Sequence, residues 1–254
     1  MAITTAMTTS FKAELLAGGH CFNATVTPTA SATSGATSVT AVSSMASVAV
    51  GMPVTGTGIN VGGVGTVVAA ITSGTALTLS VATTAAISGA AITIAGDVFK
   101  MALIKPSAAG TYNTLSTNYT NITGSSDEVT NASGTSYTAT GQVLTNVSPV
   151  ASSSAASVAY ISFANPSWTT ATFSTSGCMI YNASVRNGGT SGTNTTGGGR
   201  ACSVHDFGGN QQVSSGTFTV LMPTADTTNA ILRIAAFLFA AVVSTSSLLL
   251  PLIS

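Results

Sequence analysis

The segment from Leu15 to Gly96 contains no Asp, Glu, Lys or Arg, and the segment from Asn23 to Asp97 contains no aromatic residue. Ala, Val, Thr, Ser and Gly supply most of its side chains. A freestanding protein surface normally mixes charges of both signs. We therefore expect this segment to be covered by other protein or to pack in a dense array.

Charge is scarce along the whole chain, and this scarcity excludes two classes of protein. Charged residues make up 5% of the sequence, against roughly 25% in an average soluble protein. Charged disordered chains combine low hydrophobicity with high net charge, and this chain has zero net charge. A low-complexity linker therefore stays open as an interpretation only for residues 186–199. The basic residues are scattered and the net charge is zero, so the basic footprint that nucleic-acid binding requires is missing.

Within the charge-free segment, short runs of Val, Thr, Ile and Ala alternate with clusters of Gly, Ser and Asn. This pattern is typical of strands joined by tight turns. The predicted strands are 37–42, 46–50, 64–71, 76–81 and 91–94, with turns at 51–54 and 56–60. Before them, Ser10 as the N-cap, Phe11 and Leu15 on one face and Gly18 past the end predict a short N-terminal helix.

After Gly96 charged and aromatic residues return, and the alternation of apolar and polar residues continues. Residues 97–105 alternate cleanly up to Pro106, and either face could be buried, with the Phe99 face favoured. Further predicted strands are 137–140, 142–147, 157–163, 170–173, 178–184, 200–206 and 217–221. Many short strands with polar turns predict an all-β fold, either a β-sandwich or a barrel-like core.

These changes in composition divide the chain into three parts. Residues 1–28 and 97–235 form the core β domain, residues 29–96 form an inserted small β domain, and residues 236–254 form an apolar C-terminal tail. The boundary at Gly96 is the clearest, because charge and aromatic residues return directly after it.

Histidine and cysteine are the first candidates for a metal or catalytic site. His20 lies beside Cys21, and His205 lies three residues after Cys202, but residues three apart on a strand point to opposite faces and could not share an ion without a bulge. His205 and Asp206 could belong to a catalytic triad, but the nucleophile turn between a strand and a helix is missing. We interpret both histidines as ordinary core or surface residues.

Other polar groups also fall short of a recognised site. Asp127 and Glu128 point opposite ways in a Gly/Ser turn that we interpret as a solvated loop, with a cation site as the alternative. The glycines of 188–199 lack the Lys-Ser/Thr of a phosphate loop. Cys21, Cys178 and Cys202 are either buried free thiols, the favoured interpretation, or include one disulfide pair. We predict no catalytic, cofactor-binding or metal-binding residue, no cofactor and no enzyme.

Trp168 and three tyrosines, Tyr112, Tyr119 and Tyr137, could form a platform on which a sugar stacks. Side chains of this kind more often fill a core or anchor a subunit contact. We favour the second interpretation and keep the first as the basis of a glycan-binding alternative.

The C-terminal end changes character after Arg233, because the last twenty-one residues carry no charge. That length could span a bilayer. Three features argue against a span: the run of hydroxyl side chains at Ser244–Ser247, Pro251 and the missing basic flank. The β-branched Val242 and Val243 suit an extended strand. We expect the tail to pack against protein in an assembled particle, as a strand or as a contact between subunits.

Several short sequence pieces occur in an order that resembles a family of tailed-bacteriophage virion structural proteins. The resemblance covers roughly residues 1–22 and 97–235, and no single piece is specific. The pieces are Phe11–Leu16, Asp97–Leu103, Gly134–Gln142, Trp168 with Ala171–Phe173, Ile180–Asn182, Asp206–Gly208, Phe218–Val220, Pro223–Asp226 and Ile231–Ile234. Residues 29–96, with Gly51–Ile59, are similar to a β module that recurs as an insertion in phage head and tail proteins.

The resemblance implies a modular, non-enzymatic surface protein located in the virion. The long insertion and the apolar tail after Ala235 depart from the family pattern. The leading expectation is an exterior head decoration or cement protein whose partners are copies of itself and other virion proteins, including the major capsid protein. The alternatives are a tail-fibre or adhesin protein that binds host glycan through Trp168 or the loop 187–200, and a membrane-anchored protein that uses residues 234–254.

Overall fold

The computed structural model describes residues 2–61, 65–130, 136–152, 158–184 and 199–235. Within these ranges the helices are α1 (Thr9–Leu16) and α2 (Thr120–Thr123). The strands are β1 (Ala2–Ile3), β2 (Ala6–Met7), β3 (Thr29–Ala32), β4 (Ser38–Val39), β5 (Pro53–Thr55), β6 (Thr66–Ser73), β7 (Ala76–Leu79), β8 (Ile87–Ala91), β9 (Thr93–Ile94), β10 (Phe99–Ile104), β11 (Thr111–Tyr112), β12 (Gln142–Val143), β13 (Val150–Ala151), β14 (Ala159–Ile161), β15 (Ser167–Asn182), β16 (Arg200–Thr219) and β17 (Leu232–Ile234).

The prediction of an all-β fold is confirmed, and the strands form several sheets instead of one closed barrel. Residues 29–94 build a five-stranded sheet of order β4-β7-β6-β5-β9 and the pair β3-β8. The other described strands build a five-stranded sheet of order β12-β10-β15-β16-β2, a three-stranded sheet β13-β14-β17 and the parallel pair β1-β11. Among the described elements, no sheet draws strands from both groups.

Side chains join the two groups of sheets near Ser47. Asn23 donates from Nδ2 to the Ser47 carbonyl oxygen at 2.7 Å, and the Ser148 hydroxyl donates to the Ser47 hydroxyl at 2.7 Å. Where the chain enters and leaves residues 29–94, Val26 and Ile94 exchange two backbone hydrogen bonds of 2.9 Å. The division into a core domain and an inserted domain remains a prediction that a deletion can test.

Within the inserted segment, two local predictions were wrong. Residues 46–50 are not a strand: they include a turn in which Ser47 adopts a φ of 63°. Pro53 and Val54, predicted as a turn, begin β5, since a proline at the first strand position removes no required ladder donor. Strand β3 was not predicted.

In the core region, pairs of predicted strands merge into two long ones. Residues 170–173 and 178–184 fall largely in β15, and residues 200–206 and 217–221 fall largely in β16. Register shifts along the β15–β16 ladder absorb the extra residues, because a bulge lets a strand continue past an irregular stretch. Residues 137–140 form no strand, and α2 was not predicted.

The N-terminal helix is present, but its cap is Thr8 and not Ser10. The Thr8 hydroxyl accepts from the Phe11 N–H at 3.2 Å and donates to the Ala201 carbonyl oxygen at 2.7 Å. Gly18, with a φ of +73°, ends the helix. Phe11 is buried as expected, whereas Leu15 is only half-buried.

Three apolar clusters fill the described structure. The inserted segment buries an aliphatic cluster that contains Met52, Val54, Leu77 and Ile94. An aromatic cluster covers the Phe99 face of β10, and a third cluster around Tyr112, Ile122 and Met179 covers its opposite face. Strand β10 is therefore buried on both faces, although the sequence favoured burial of the Phe99 face.

Candidate functional site

A buried polar network surrounds His20 at the point where the chain leaves and re-enters the core region. His20 Nε2 lies 2.9 Å from Glu14 Oε2, and His20 Nδ1 lies 2.9 Å from Asn182 Nδ2. Asn182 Nδ2 also donates to Asp97 Oδ2 at 2.7 Å, and the Cys21 N–H donates to the same oxygen at 2.8 Å. The network therefore ties the segment after α1 to the segment before β10.

Arg200 adds a positive charge to this network. Its guanidinium lies 3.8 Å from Glu14 and donates to the Gly19 carbonyl oxygen at 2.7 Å. Burial raises the pKa of Glu14, and the attraction of Arg200 opposes that rise. The network is buried throughout, and its members are Glu14, His20, Asp97, Asn182 and Arg200. We call it the clamp, because buried hydrogen bonds of this kind hold the segment after α1 and the segment before β10 together.

The sequence contained a signal for this clamp that we did not use. Glu14 is the last charged residue before the charge-free segment, and Asp97 is the first one after it. A charge on each side of an insertion is well placed to join the two connecting segments. Asn182 and Arg200 gave no comparable signal, since they lie far along the chain on β15 and β16.

Asp127 and Glu128 each hold tyrosine hydroxyls, and the prediction of a solvated loop was wrong. Asp127 is 1% exposed and accepts from the N–H groups of Ala109 and Gly110 and from the Tyr112 hydroxyl. Burial alone would raise the pKa of Asp127, but these hydrogen bonds and the charge of Lys105 outweigh it and lower the pKa. The carboxylate is therefore a structural acceptor.

Glu128 accepts from the Tyr137 hydroxyl at 2.6 Å, from the Thr140 N–H at 2.9 Å and from the Tyr119 hydroxyl. Burial, together with the hydrogen bond to Glu128, raises the pKa of Tyr119. In the described part of the chain, no group of three or more His, Cys, Asp or Glu side chains is placed to hold a metal ion. Backbone hydrogen bonds from the Lys105 N–H to the Asp127 carbonyl oxygen and from the Val129 N–H to the Leu103 carbonyl oxygen join the segment that carries the two carboxylates to the end of β10.

Cys202 and His205 lie beside a register shift of the β15–β16 ladder, but in the part of the chain that the structure describes they belong to no group of three or more potential metal ligands. A register shift after Ile180 lets Cys202, Ser203 and His205 line one cavity of about 250 Å³. His205 Nε2 lies 2.9 Å from the Ser203 hydroxyl, and burial lowers the pKa of His205. Asp206 is exposed and accepts from the Gly208 N–H, so His205 and Asp206 do not assemble as a triad.

Cys178 and Cys202 are buried free thiols, in line with the favoured interpretation, whereas Cys21 is only half-buried. Burial raises the pKa of Cys178 to about 12, and it also raises the pKa of Cys202. The thiolate is the nucleophilic and metal-binding form of cysteine. Buried thiols with raised pKa values are therefore inert at neutral pH.

The four aromatic residues proposed as a sugar platform do not form one surface. Tyr137 and Trp168 belong to the aromatic cluster, whereas Tyr112 and Tyr119 belong to the cluster on the opposite face of β10. Trp168 does border a polar hollow of about 430 Å³. Ser136, Thr138, Ser167 and Thr169 supply hydroxyl groups to its wall. The loop 187–198 and its glycines lie outside the described residues.

Residues 167–175 and 211–219 form an uncharged two-stranded ribbon, which we call the outer ribbon. Strand β10 pairs with β15 only from Gly177 to Asn182, and β2 pairs with β16 only at Ser203 and Val204. Both edges of the outer ribbon thus lack a ladder partner among the described strands. Neither strand of the ribbon carries a charged residue, and most of its 211–219 side chains are exposed.

The rest of the surface is also poor in charge. Of the eleven charged residues within the described ranges, four are buried: Glu14, Asp97, Asp127 and Arg200. The inserted segment contributes none. The candidate functional feature of the described structure is therefore a neutral β surface.

The chain matches no protein-family model, no curated protein and no solved structure. Within the described ranges, no helix has the length and apolar character needed to cross a bilayer. The predicted tail, residues 236–254, lies outside the described residues.

Proposed function

We propose that this chain is a non-enzymatic structural subunit on the exterior of a phage virion, of the decoration or cement kind. The carrying observation is the outer ribbon, whose uncharged edges have no ladder partner among the described strands. Natural proteins usually protect such edges with charge, proline or a covering segment. An unprotected edge favours strand pairing with a second copy of the chain or with a neighbouring virion protein.

The distribution of charge supports the same proposal. A subunit packed in a lattice meets other protein on several sides, and neutral polar side chains can be buried there with less desolvation cost than charges. Packaged DNA would instead call for clustered Lys and Arg, and the described basic residues are scattered. We therefore place the subunit on the outside of the particle, against the major capsid protein.

Imaging of intact particles of the phage that encodes this chain tests the proposal directly. We expect many copies at repeating lattice positions of the head. A small number of copies confined to the tail would contradict the decoration role and favour the fibre role.

A charge placed on the outer ribbon tests the contact itself. Thr217→Lys introduces a charge on the exposed strand, and Thr72→Lys introduces the same charge on the exposed end of β6 as the matched control. Light scattering at low micromolar concentration should show self-association of the unmodified chain. We expect Thr217→Lys to weaken it at least about tenfold, since like charges facing each other across an interface are costly, while Thr72→Lys leaves it unchanged. A soluble monomer of the unmodified chain would contradict strand pairing.

The alternative function is host recognition by a tail-fibre or adhesin protein. The polar hollow beside Trp168 is the observation that favours it, because hydroxyl groups next to an aromatic ring suit a saccharide. Trp168 is the only tryptophan in the chain, so the tryptophan fluorescence reports on the surroundings of this one side chain, which borders the hollow. A saturable fluorescence change on titration with a host glycan would support the alternative, and an unchanged spectrum across a glycan panel would contradict it.

A further inference from the structure

The aromatic cluster is incompletely covered on one side. Phe207, Phe218, Val220, Met222 and Ile231 pack against the cluster but remain partly exposed. Together with Leu221, which is 78% exposed, they border an opening of about 460 Å³ that we call the apolar groove. Domain cores are normally closed by a further packed element, so an open groove of this kind calls for an occupant.

Among the described residues, the walls of the apolar groove contain no Asp, Glu, Lys or Arg. Their polar side chains are His205, Gln211 and Thr219, and burial lowers the pKa of His205, which favours the uncharged form of the ring. An uncharged wall fits an uncharged apolar occupant. A charged peptide or an anionic ligand would leave its charge unpaired there.

The chain itself supplies a segment of matching chemistry at the edge of the groove. Ile231 and Leu232 line the groove or the cavity beside it, and the described structure ends three residues later at Ala235. Residues 236–254 follow, without a charge and with Phe237, Leu238 and Phe239 near their start. At roughly 3.3 Å per extended residue, nineteen residues are ample to turn back and cross the groove.

We propose that residues 236–254 occupy the apolar groove of their own chain and complete the aromatic core. Tethering favours this occupant over a second copy, because a segment joined by a short link has an effective concentration on the order of millimolar. Free copies at micromolar concentration compete poorly with it. This inference does not depend on the virion role, since a core-completing segment serves a protein of any function.

Photochemical cross-linking in the full-length chain tests the proposal. Phe239 and, in a second variant, Leu249 are replaced by p-benzoylphenylalanine, which inserts into nearby C–H bonds on illumination. We expect cross-links within one chain that map to peptides containing Met222 or Ile231. The same label at Leu16, which is 91% exposed at the end of α1, is the control and should give no cross-link to the groove.

The other outcomes each overturn the proposal. Covalent dimers would show that a second copy supplies the segment, as the sequence alone led us to expect. Cross-links to lipid in the presence of phosphatidylcholine vesicles would identify a membrane segment. Cross-links from both positions that avoid the groove would place the segment elsewhere.

A dye-binding measurement gives a second readout that does not depend on the label. A triple variant, Phe237→Ser, Leu238→Ser and Phe239→Ser, should leave the groove open. We expect the fluorescence of an apolar dye to rise by about threefold or more, because such dyes bind exposed apolar surface. Val50→Ser with Val61→Ser, at exposed positions of the inserted segment, is the matched control and should give no rise. An unchanged signal from a variant that keeps its circular dichroism spectrum would contradict the proposal.

Discussion

Residues 29–94 have a core of aliphatic side chains without an aromatic ring, whereas the region around β10, β15 and β16 buries aromatic rings together with four charged side chains. Buried polar groups in the two regions find their partners in different ways. In the inserted segment, Thr83 donates to the Thr33 carbonyl oxygen at 2.7 Å, a contact within the segment. In the core region, Asn182 reaches back to His20 and Asp97, far away in the sequence.

This difference agrees with the prediction that residues 29–96 are an insertion in the core domain. A segment whose buried polar groups bond to each other and whose apolar side chains form their own cluster needs few contacts with the core domain beyond the two chain connections. In the core region, the Glu14–His20–Asn182–Asp97 network holds the two connecting segments together. The comparison therefore predicts that the two regions respond separately to most changes.

The largest expected effect comes from removing the inserted segment. Deletion of residues 29–96, with a short Gly/Ser linker in their place, should leave a protein that unfolds cooperatively. The calorimetric unfolding enthalpy should fall by about 0.7 kcal/mol per deleted residue, or roughly 50 kcal/mol in total. Loss of any cooperative transition in the deletion variant would mean that the two regions share one core, and the comparison would fail.

Truncation of one buried leucine in each region sharpens the comparison. Leu77 belongs to the aliphatic cluster and Leu103 to the aromatic cluster, and both are fully buried. Leu77→Ala and Leu103→Ala should each cost about 2–5 kcal/mol, because each removes buried methyl groups and leaves a cavity. Hydrogen exchange should show the loss of protection confined to the region that carries the substitution. Loss of protection in both regions from either variant would indicate a single cooperative unit.

Buried polar groups give a smaller effect that differs between the regions. Asn182→Ala removes one buried hydrogen-bond partner from Asp97 and one from His20, and it should cost about 1–3 kcal/mol in urea unfolding. Thr83→Val, which removes one hydroxyl but keeps its volume, is the matched change in the inserted segment and should cost about 1 kcal/mol. Equal costs for the two variants would show that the network around Asn182 has no special structural role.

The smallest expected effect is a change in the acid limb of the stability profile. The pKa of Asp127 is lower in the folded state than in the unfolded state. The stability that this carboxylate contributes is therefore fully present above the unfolded-state pKa of about 3.9, and it is lost as pH falls through the folded-state pKa. Asp127→Asn should remove this part of the acid dependence and lower stability at pH 7. Asp206→Asn, at an exposed position, is the control and should keep the profile of the unmodified chain. An unaltered acid limb in Asp127→Asn would contradict the role of this carboxylate.

Period-two alternation was enough to predict the all-β fold, and Phe11 with Gly18 was enough to predict the helix at the N-terminus. The signals for these features are local, because alternation and caps depend on residues a few positions apart. The same reasoning failed at Pro53 and at residues 46–50. There, pairing with distant strands decided the conformation, and β5 pairs with both β6 and β9.

By itself, the sequence determined the neutral character of the protein, its strand-rich class and the absence of a recognisable catalytic motif, since these depend on composition and short spacing. Only the tertiary structure decided that Glu14, Asp97, Asp127 and Arg200 are buried, that Trp168 faces a polar hollow, and that the aromatic core opens along a groove. The physical reason is that burial and hydrogen bonding join residues far apart in the chain. No local pattern records which distant side chain will supply the partner.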